Sequence, residues 1–181
     1  MKRTELKLIV GLGNYGNQYV KTKHNVGFLA LDYLSFMMRI PLRSSNPMGG
    51  DIGEKNGVVL FKPRSYMNIL GANVANVVNK KKIEPRNIIL LHDELELGTG
   101  VCKYREGNLS HKGHNGIKSV QNKLRNNEFK RIRIGIDRPK SRAPKDVADY
   151  VLKGFNKNDL RALEDEAFPQ ILNMVRNKFL T

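Results

Sequence analysis

Two side chains, His24 and Asp93, stand where a sequence of this kind could move a proton. His24 follows a short apolar run, Leu6 to Val10, and a glycine-punctuated loop, Gly11-Leu12-Gly13-Asn14-Tyr15-Gly16. Asp93 follows a second apolar run, Asn87 to Leu91, in the string His92-Asp93-Glu94. In an open α/β sheet, ligands bind beyond the carboxyl ends of the strands. If the two runs lie parallel, both side chains reach the same rim. A carboxylate accepting from one imidazole nitrogen fixes the tautomer and leaves the other nitrogen to take a proton. No G-x-S-x-G elbow is present, so water is the natural source of that proton. Taken alone, a histidine on a polar loop is simply a solvated side chain, and Asp93 serves equally well as a turn or helix cap. Three carboxamides, Asn14, Asn68 and Asn115, come from three separate loops. Each offers a donor and an acceptor together, which suits a peptide-like ligand or a developing oxyanion.

Two other chemistries fit less well. Gly11 to Gly16 satisfies G-x-G-x-x-G after a strand, the dinucleotide-binding fingerprint. That fingerprint also needs a helix opening inside the glycines and an acidic residue ending the second strand. Here Asn17 to Asn25 is polar with no helical face, and Asp32 falls within the first helix. The four histidines, His24, His92, His111 and His114, share no spacing such as H-x-x-x-H, and the single cysteine, Cys102, cannot complete a thiolate site. No metal or cofactor is expected.

The elements that must hold these residues follow from apolar spacing. Val26, Leu29, Ala30, Tyr33, Leu34 and Met37 recur at helical intervals after Asn25. Pro41 and the polar stretch Arg43 to Gly50 read as a loop. Lys55-Asn56-Gly57 reads as a hairpin turn joining Asp51-Ile52 to Val58–Phe61. Leu70, Val74, Val77 and Val78 mark a second helix, with Lys80, Lys81 and Lys82 complementing its C-terminal dipole. Val101 to Arg105 is a strand, and His114-Asn115-Gly116 opens a helix through Leu124. Phe129 to Ile136 alternates basic and apolar residues, which predicts a strand with one face covered. The chain ends in helices over Val147–Leu152 and Asp159–Phe179, the latter kinked or split at Pro169. Strands alternating with helices predict one three-layer αβα domain over residues 1–181, with a twisted mixed sheet.

Bulk composition bounds the partners. Lys and Arg total 32 against 17 Asp and Glu, a net charge of +15. Such an excess points to a polyanion, since phosphate contacts supply most nonspecific nucleic-acid affinity. No basic helix carries a bulky apolar opposite face, so an anionic membrane surface is a poorer match. No run approaches membrane-spanning length, and neither a signal peptide nor a full transit peptide is visible. One cysteine fits a reducing compartment. These features predict a soluble intracellular protein of the cytoplasm or mitochondrial matrix, and a monomer.

The stretches GLGN with Tyr19, KHNVG, SYMN, HDEL, GHNGIKS and RIRIGI occur in the order and spacing of the bacterial-type peptidyl-tRNA hydrolases. The chain resembles that family from Leu8 to about Asp165. The resemblance implies an esterase in which His24 activates water against the bond between a peptide and the terminal ribose of tRNA. Asp93 would orient His24 and offset its charge. Asn14 would position tRNA or the water, Asn68 and Asn115 would hold the peptide backbone and help stabilise the oxyanion, and Tyr19 and Tyr66 would join them in binding substrate. The family's phosphate clamp carries over to Arg105 and Arg133, arginines able to hold phosphate through two hydrogen bonds. Four features depart from the family pattern. Tyr15 replaces the usual proline, Asn108 to Lys112 is bulkier than the usual glycine-rich loop, Asp137 stands where glycine is common, and the C-terminus is short. A noncatalytic RNA-binding relative is the competing reading, although RNA binding alone does not require a base–carboxylate pair.

Overall fold

Hydrophobic strands flanked by amphipathic helices give the chain its layers. The computed structural model describes residues 5–181, so the start of the predicted domain lies outside the described residues. Strand β1 (Lys7–Gly11) alternates its side chains between two cores. Leu8 and Val10 face one side with helices α2 (Gly71–Lys81) and α3 (Asn115–Leu124). Ile9 faces the other with α1 (Val26–Met38) and the C-terminal helices. Burial on both faces explains why the first and fifth strands read as unbroken apolar runs.

Seven strands form one sheet in the order β2-β3-β4-β1-β5-β7-β6. Besides β1, they are β2 (Arg43–Ser45), β3 (Gly50–Lys55), β4 (Val58–Pro63), β5 (Ile88–Glu94), β6 (Cys102–Arg105) and β7 (Lys130–Gly135). The centre is parallel, with β1 between β4 and β5 and β7 beyond β5. Both edges are antiparallel. The predicted hairpin is β3–β4, and its turn sits at Asn56 and Gly57, both with positive φ. The three-layer, mixed-sheet expectation matches this architecture.

Several boundaries differ from the sequence reading. Part of the stretch read as a loop before Gly50 is the edge strand β2, because its residues pair with β3 although they carry no apolar signal. Strand β5 runs on through Asp93 to Glu94, held by parallel pairing to β7. On β7 the basic residues do not form an open face. Arg131 is buried, because residues of the 106–113 loop fold over the strand and the Ser110 carbonyl accepts from its guanidinium. Near Pro169 the chain stays helical but changes winding. A π turn at Leu163–Ala167 separates α5 (Lys157–Ala162) from α6 (Phe168–Met174), and a second follows at Val175–Phe179. Helix α4 (Pro144–Val151) buries none of its residues. Among the described residues no helix is long and apolar enough to cross a membrane.

Candidate active site

The site forms where β1 ends and β5 continues. Gly11 pairs with Leu91, and Leu12 N–H still donates to Leu91 O at 3.0 Å, but Asp93 lies two residues further along β5. Over that step sits a 3₁₀ turn, Lys23–Asn25, which leads directly into α1. Gly27 makes the close approach possible, since a Cβ there would fall 2.3 Å from the Leu91 carbonyl. The turn therefore lowers His24 onto Asp93. His24 Nδ1 lies 2.8 Å from Asp93 Oδ2.

Asp93 also binds a second imidazole. His114 Nε2 lies 2.7 Å from Asp93 Oδ1. His114 is the N-cap of α3, and its Nδ1 accepts from the N–H groups of Gly116 (3.2 Å) and Ile117 (3.3 Å). An accepting Nδ1 assigns the Nε2–H tautomer, so the proton on the Asp93 side belongs to His114. Both nitrogens of His114 are thus occupied. His24 donates its Nδ1–H to the same carboxylate, and its Nε2 has no partner among the described residues.

Electrostatics separate these groups further. Burial alone would lower the His24 pKa, but the charge of Asp93 and its hydrogen bond together raise it above 6.5. Burial alone would raise Asp93, but His24 and His114 hold its carboxyl far below the ordinary carboxylate range. His92 is fully buried behind the pair, and burial pushes its pKa down to about 3. Its Nδ1 lies 2.9 Å from the Asp93 carbonyl oxygen, to which it donates. His92 is therefore neutral, and His24 is left with a ring nitrogen that bonds to no other group among the described residues.

The carboxamides are tied to segments next to this pair. Asn14 Oδ1 accepts from Met67 N–H at 2.7 Å, which leaves Asn14 Nδ2 as the donating end. Asn25 clamps the same residue from behind, accepting from Asn14 N–H at 2.7 Å and donating to Asn14 O at 2.8 Å. Asn68 follows Met67 and is exposed. Asn115, also exposed, follows His114 at the start of α3. Helix α3 reaches Met67 because Gly116 has no side chain, a Cβ there lying 2.4 Å from Met67 Sδ. The rings of Tyr19 and Tyr66 meet edge to face at 6.4 Å. Asn14 and Tyr19 thus come from the segment after β1 and Tyr66 and Asn68 from the segment after β4, whereas Asn115, expected on a loop, is the first residue of α3.

Arg105 and Arg133 lie along a neighbouring cleft of about 350 Å³, with Arg131 and Lys112. Arg105 is exposed, whereas Arg133 Nε donates to Glu94 Oε1 at 2.7 Å. Among the described residues the two terminal nitrogens of Arg133 make no hydrogen bond. The pair on the sheet is set by register, because Lys103 faces Arg133 and Arg105 faces Arg131 across β6–β7.

Ligand atoms of His24, Asp93 and His114 lie within 4.8 Å of one another. They could converge on a divalent ion only by giving up both hydrogen bonds to Asp93.

Sequence reasoning missed four residues of this site. His114 carried one visible signal, its place just before a helix, where an N-cap acceptor is wanted. Asn25 stood in the motif with His24. Glu94 and the buried Arg131 gave no local sign.

The site thus joins a carboxylate-held imidazole to the strand ends of a mixed α/β domain, and among the described residues no Ser, Thr or Cys side chain bonds to that imidazole, an arrangement compatible with a hydrolase that takes its nucleophile from solvent. The sequence profile described as Peptidyl-tRNA hydrolase matches residues 8–180. A peptidyl-tRNA hydrolase of Rhodococcus erythropolis is 39% identical over 165 residues, covering 89% of this chain and 85% of that protein. One from Brevibacillus brevis is 42% identical over 154 residues, covering 83% and 79%. The crystal structure of the Acinetobacter baumannii peptidyl-tRNA hydrolase superposes with a TM-score of 0.86 at 32% identity, over 99% of this chain and 91% of that one. The chain belongs to the peptidyl-tRNA hydrolase family.

Proposed function

We propose that His24 is the general base with which this peptidyl-tRNA hydrolase cleaves the ester joining a peptide to the terminal ribose of tRNA. One observation carries the assignment. Of the two imidazoles on Asp93, only His24 has a nitrogen left to take a proton. Water bound at His24 Nε2 gives up a proton as its oxygen attacks the ester carbonyl carbon. Asp93 stabilises the imidazolium, and the tetrahedral intermediate collapses by breaking the bond to the ribose oxygen. The imidazolium returns its proton to that oxygen, so the products are a peptide acid and tRNA with a free hydroxyl.

Asn14 Nδ2 positions the water. Asn68 and Asn115 hold the peptide backbone and donate to the oxyanion, and Tyr19 and Tyr66 wall the peptide site. Arg105 and Arg133 bind tRNA phosphate, supplying affinity without reading bases. No metal or cofactor takes part. Amide-binding asparagines favour an N-acylated substrate over free aminoacyl-tRNA. A noncatalytic RNA binder has no use for a histidine held with one nitrogen open. The bacterial relatives favour a cytoplasmic location over the mitochondrial matrix, and the protein acts as a monomer of one domain.

The assay compares acetylaminoacyl-tRNA with the same aminoacyl-tRNA lacking the acetyl group, each with and without EDTA. Release only from the acetylated substrate, unaffected by EDTA, is expected. Release from both at equal rates would remove the carboxamides from substrate selection, and loss in EDTA would reinstate a metal on His24, Asp93 and His114.

A further inference from the structure

Lys23, one residue before His24, is buried at 8% exposure. Its ammonium has no carboxylate partner among the described residues. Leaving a cation in such a place is costly unless its surroundings replace water. Three groups do so. Lys23 Nζ donates to Gly154 O at 3.0 Å, and it lies 4.9 Å from the ring centroid of Tyr150 and 5.4 Å from that of Phe155. A cation over desolvated aromatic faces is attracted by the ring quadrupole.

All three groups come from one stretch of chain, the end of α4 and the residues after it. The backbones are joined as well. Lys23 N–H donates to Lys153 O at 2.9 Å, Phe155 N–H donates to Lys21 O at 3.2 Å, and Thr22 bridges Gly154 antiparallel. Helix α4 has no fully buried residue; Tyr150 and Val151 pack at the edge of the core, and Tyr150 Oη donates to Ile136 O at 2.7 Å. The end of the α4 segment is thus joined both to that core and, by backbone and side chain, to the loop that carries His24.

We propose that Lys23 is a positioning residue whose caged ammonium latches the α4 segment to the His24 loop, so that α4 sets where the imidazole stands. The inference rests on the hydrolase reading of His24. Asp93 fixes His24 at Nδ1, and the latch fixes the backbone one residue earlier. Together they hold the free Nε2 in register with the ester. A displacement of about 1 Å at a reacting group can cost about a hundredfold in rate.

The test uses Lys23→Met, which keeps the length and removes the charge, beside Lys23→Arg, which keeps the charge. Each is assayed on acetylaminoacyl-tRNA and on a short oligonucleotide with the same acylated 3′ end. Lys23→Met is expected to lower kcat about tenfold or more on both substrates, with KM within about twofold, and Lys23→Arg to recover most of that loss. Hydrogen exchange at the Phe155 amide should quicken in Lys23→Met and not in Lys23→Arg. Should Lys23→Met not fold, Phe155→Leu leaves the ammonium in place and removes one ring face. Its kcat is then expected to fall about threefold with KM unchanged. Wild-type kcat in the folded variants would overturn the proposal. So would a loss confined to KM for whole tRNA, which would make the joint a binding surface only. A wild-type protein that released no peptide would sink the hydrolase reading instead, while Phe155 exchange would still report whether the latch exists.

Discussion

Replacing Asp93 with asparagine tests the shared carboxylate most severely. Asp93 accepts two imidazole N–H groups, His24 Nδ1–H at Oδ2 and His114 Nε2–H at Oδ1. Asparagine has one carbonyl oxygen, so its NH₂ must face one of those donors. His114 cannot turn its tautomer over without losing two N–H groups at the start of α3. His24 has no such restraint at Nε2. The amide oxygen of Asp93→Asn is therefore expected to face His114 and its NH₂ to face His24. His24 then takes the Nε2–H tautomer, with its lone pair turned away from the substrate water. A wrong-tautomer histidine of this kind costs about ten-thousandfold in kcat, or about 5 kcal/mol of barrier. The assay is single-turnover release from acetylaminoacyl-tRNA across pH. In the wild type, His24 is raised above 6.5, so the base form, and kcat/KM with it, climbs through an acid limb lying above 6.5. In the variant the residual activity should lose that displacement and show a limb at lower pH. A variant within about tenfold of wild type, with its acid limb unmoved, would refute the reasoning.

Two further outcomes follow from the same geometry. Arg133→Ala should weaken tRNA binding and flatten its salt dependence by about one phosphate contact, a change of about 0.9 in the log–log slope. An unchanged slope in a salt titration would remove Arg133 from the clamp. Lys82 ends α2 in the left-handed region at φ 54 and is exposed, so Lys82→Gly should stabilise the fold by about 1 kcal/mol, or about 3 °C in Tm, by calorimetry. A fall in Tm would show that the lysine makes a contact that offsets its backbone cost.

The parts of this site legible in sequence were those set by local rules. Parallel strands carry their carboxyl ends to one rim, so the apolar runs before His24 and Asp93 placed both residues at that rim, whereas the contact between them depends on the 3₁₀ turn and on the close approach at Gly27. The Asn56-Gly57 turn and the apolar faces of α1 and α2 followed from residue type and spacing. Other features depended on chain segments far apart. The second imidazole on Asp93 arrives from the N-cap of α3, and nothing local to either segment shows that this helix start meets the carboxylate. Alternation on β7 predicted a strand with one face covered, but periodicity cannot show a loop that covers the other face, and Arg131 is buried beneath one. Asp137, read as a departure from glycine, takes φ 60 in the structure. It is a residue type that tolerates this region, and its carboxylate accepts from Thr99 Oγ1 at 3.0 Å. Strand β2 lacked any apolar pattern because it lies at an edge and buries little.

The most direct measurement is of His24→Ala, in paired assays of chemistry and binding. Removing the base should cut single-turnover release from acetylaminoacyl-tRNA by about a thousandfold or more, while the Kd for the tRNA stays within about twofold, because Arg105 and Arg133, the residues proposed to hold phosphate, line a cleft of which His24 is not part. Release at the wild-type rate, or a loss of activity matched by an equal loss of binding, would contradict His24 as the group that takes the proton from water.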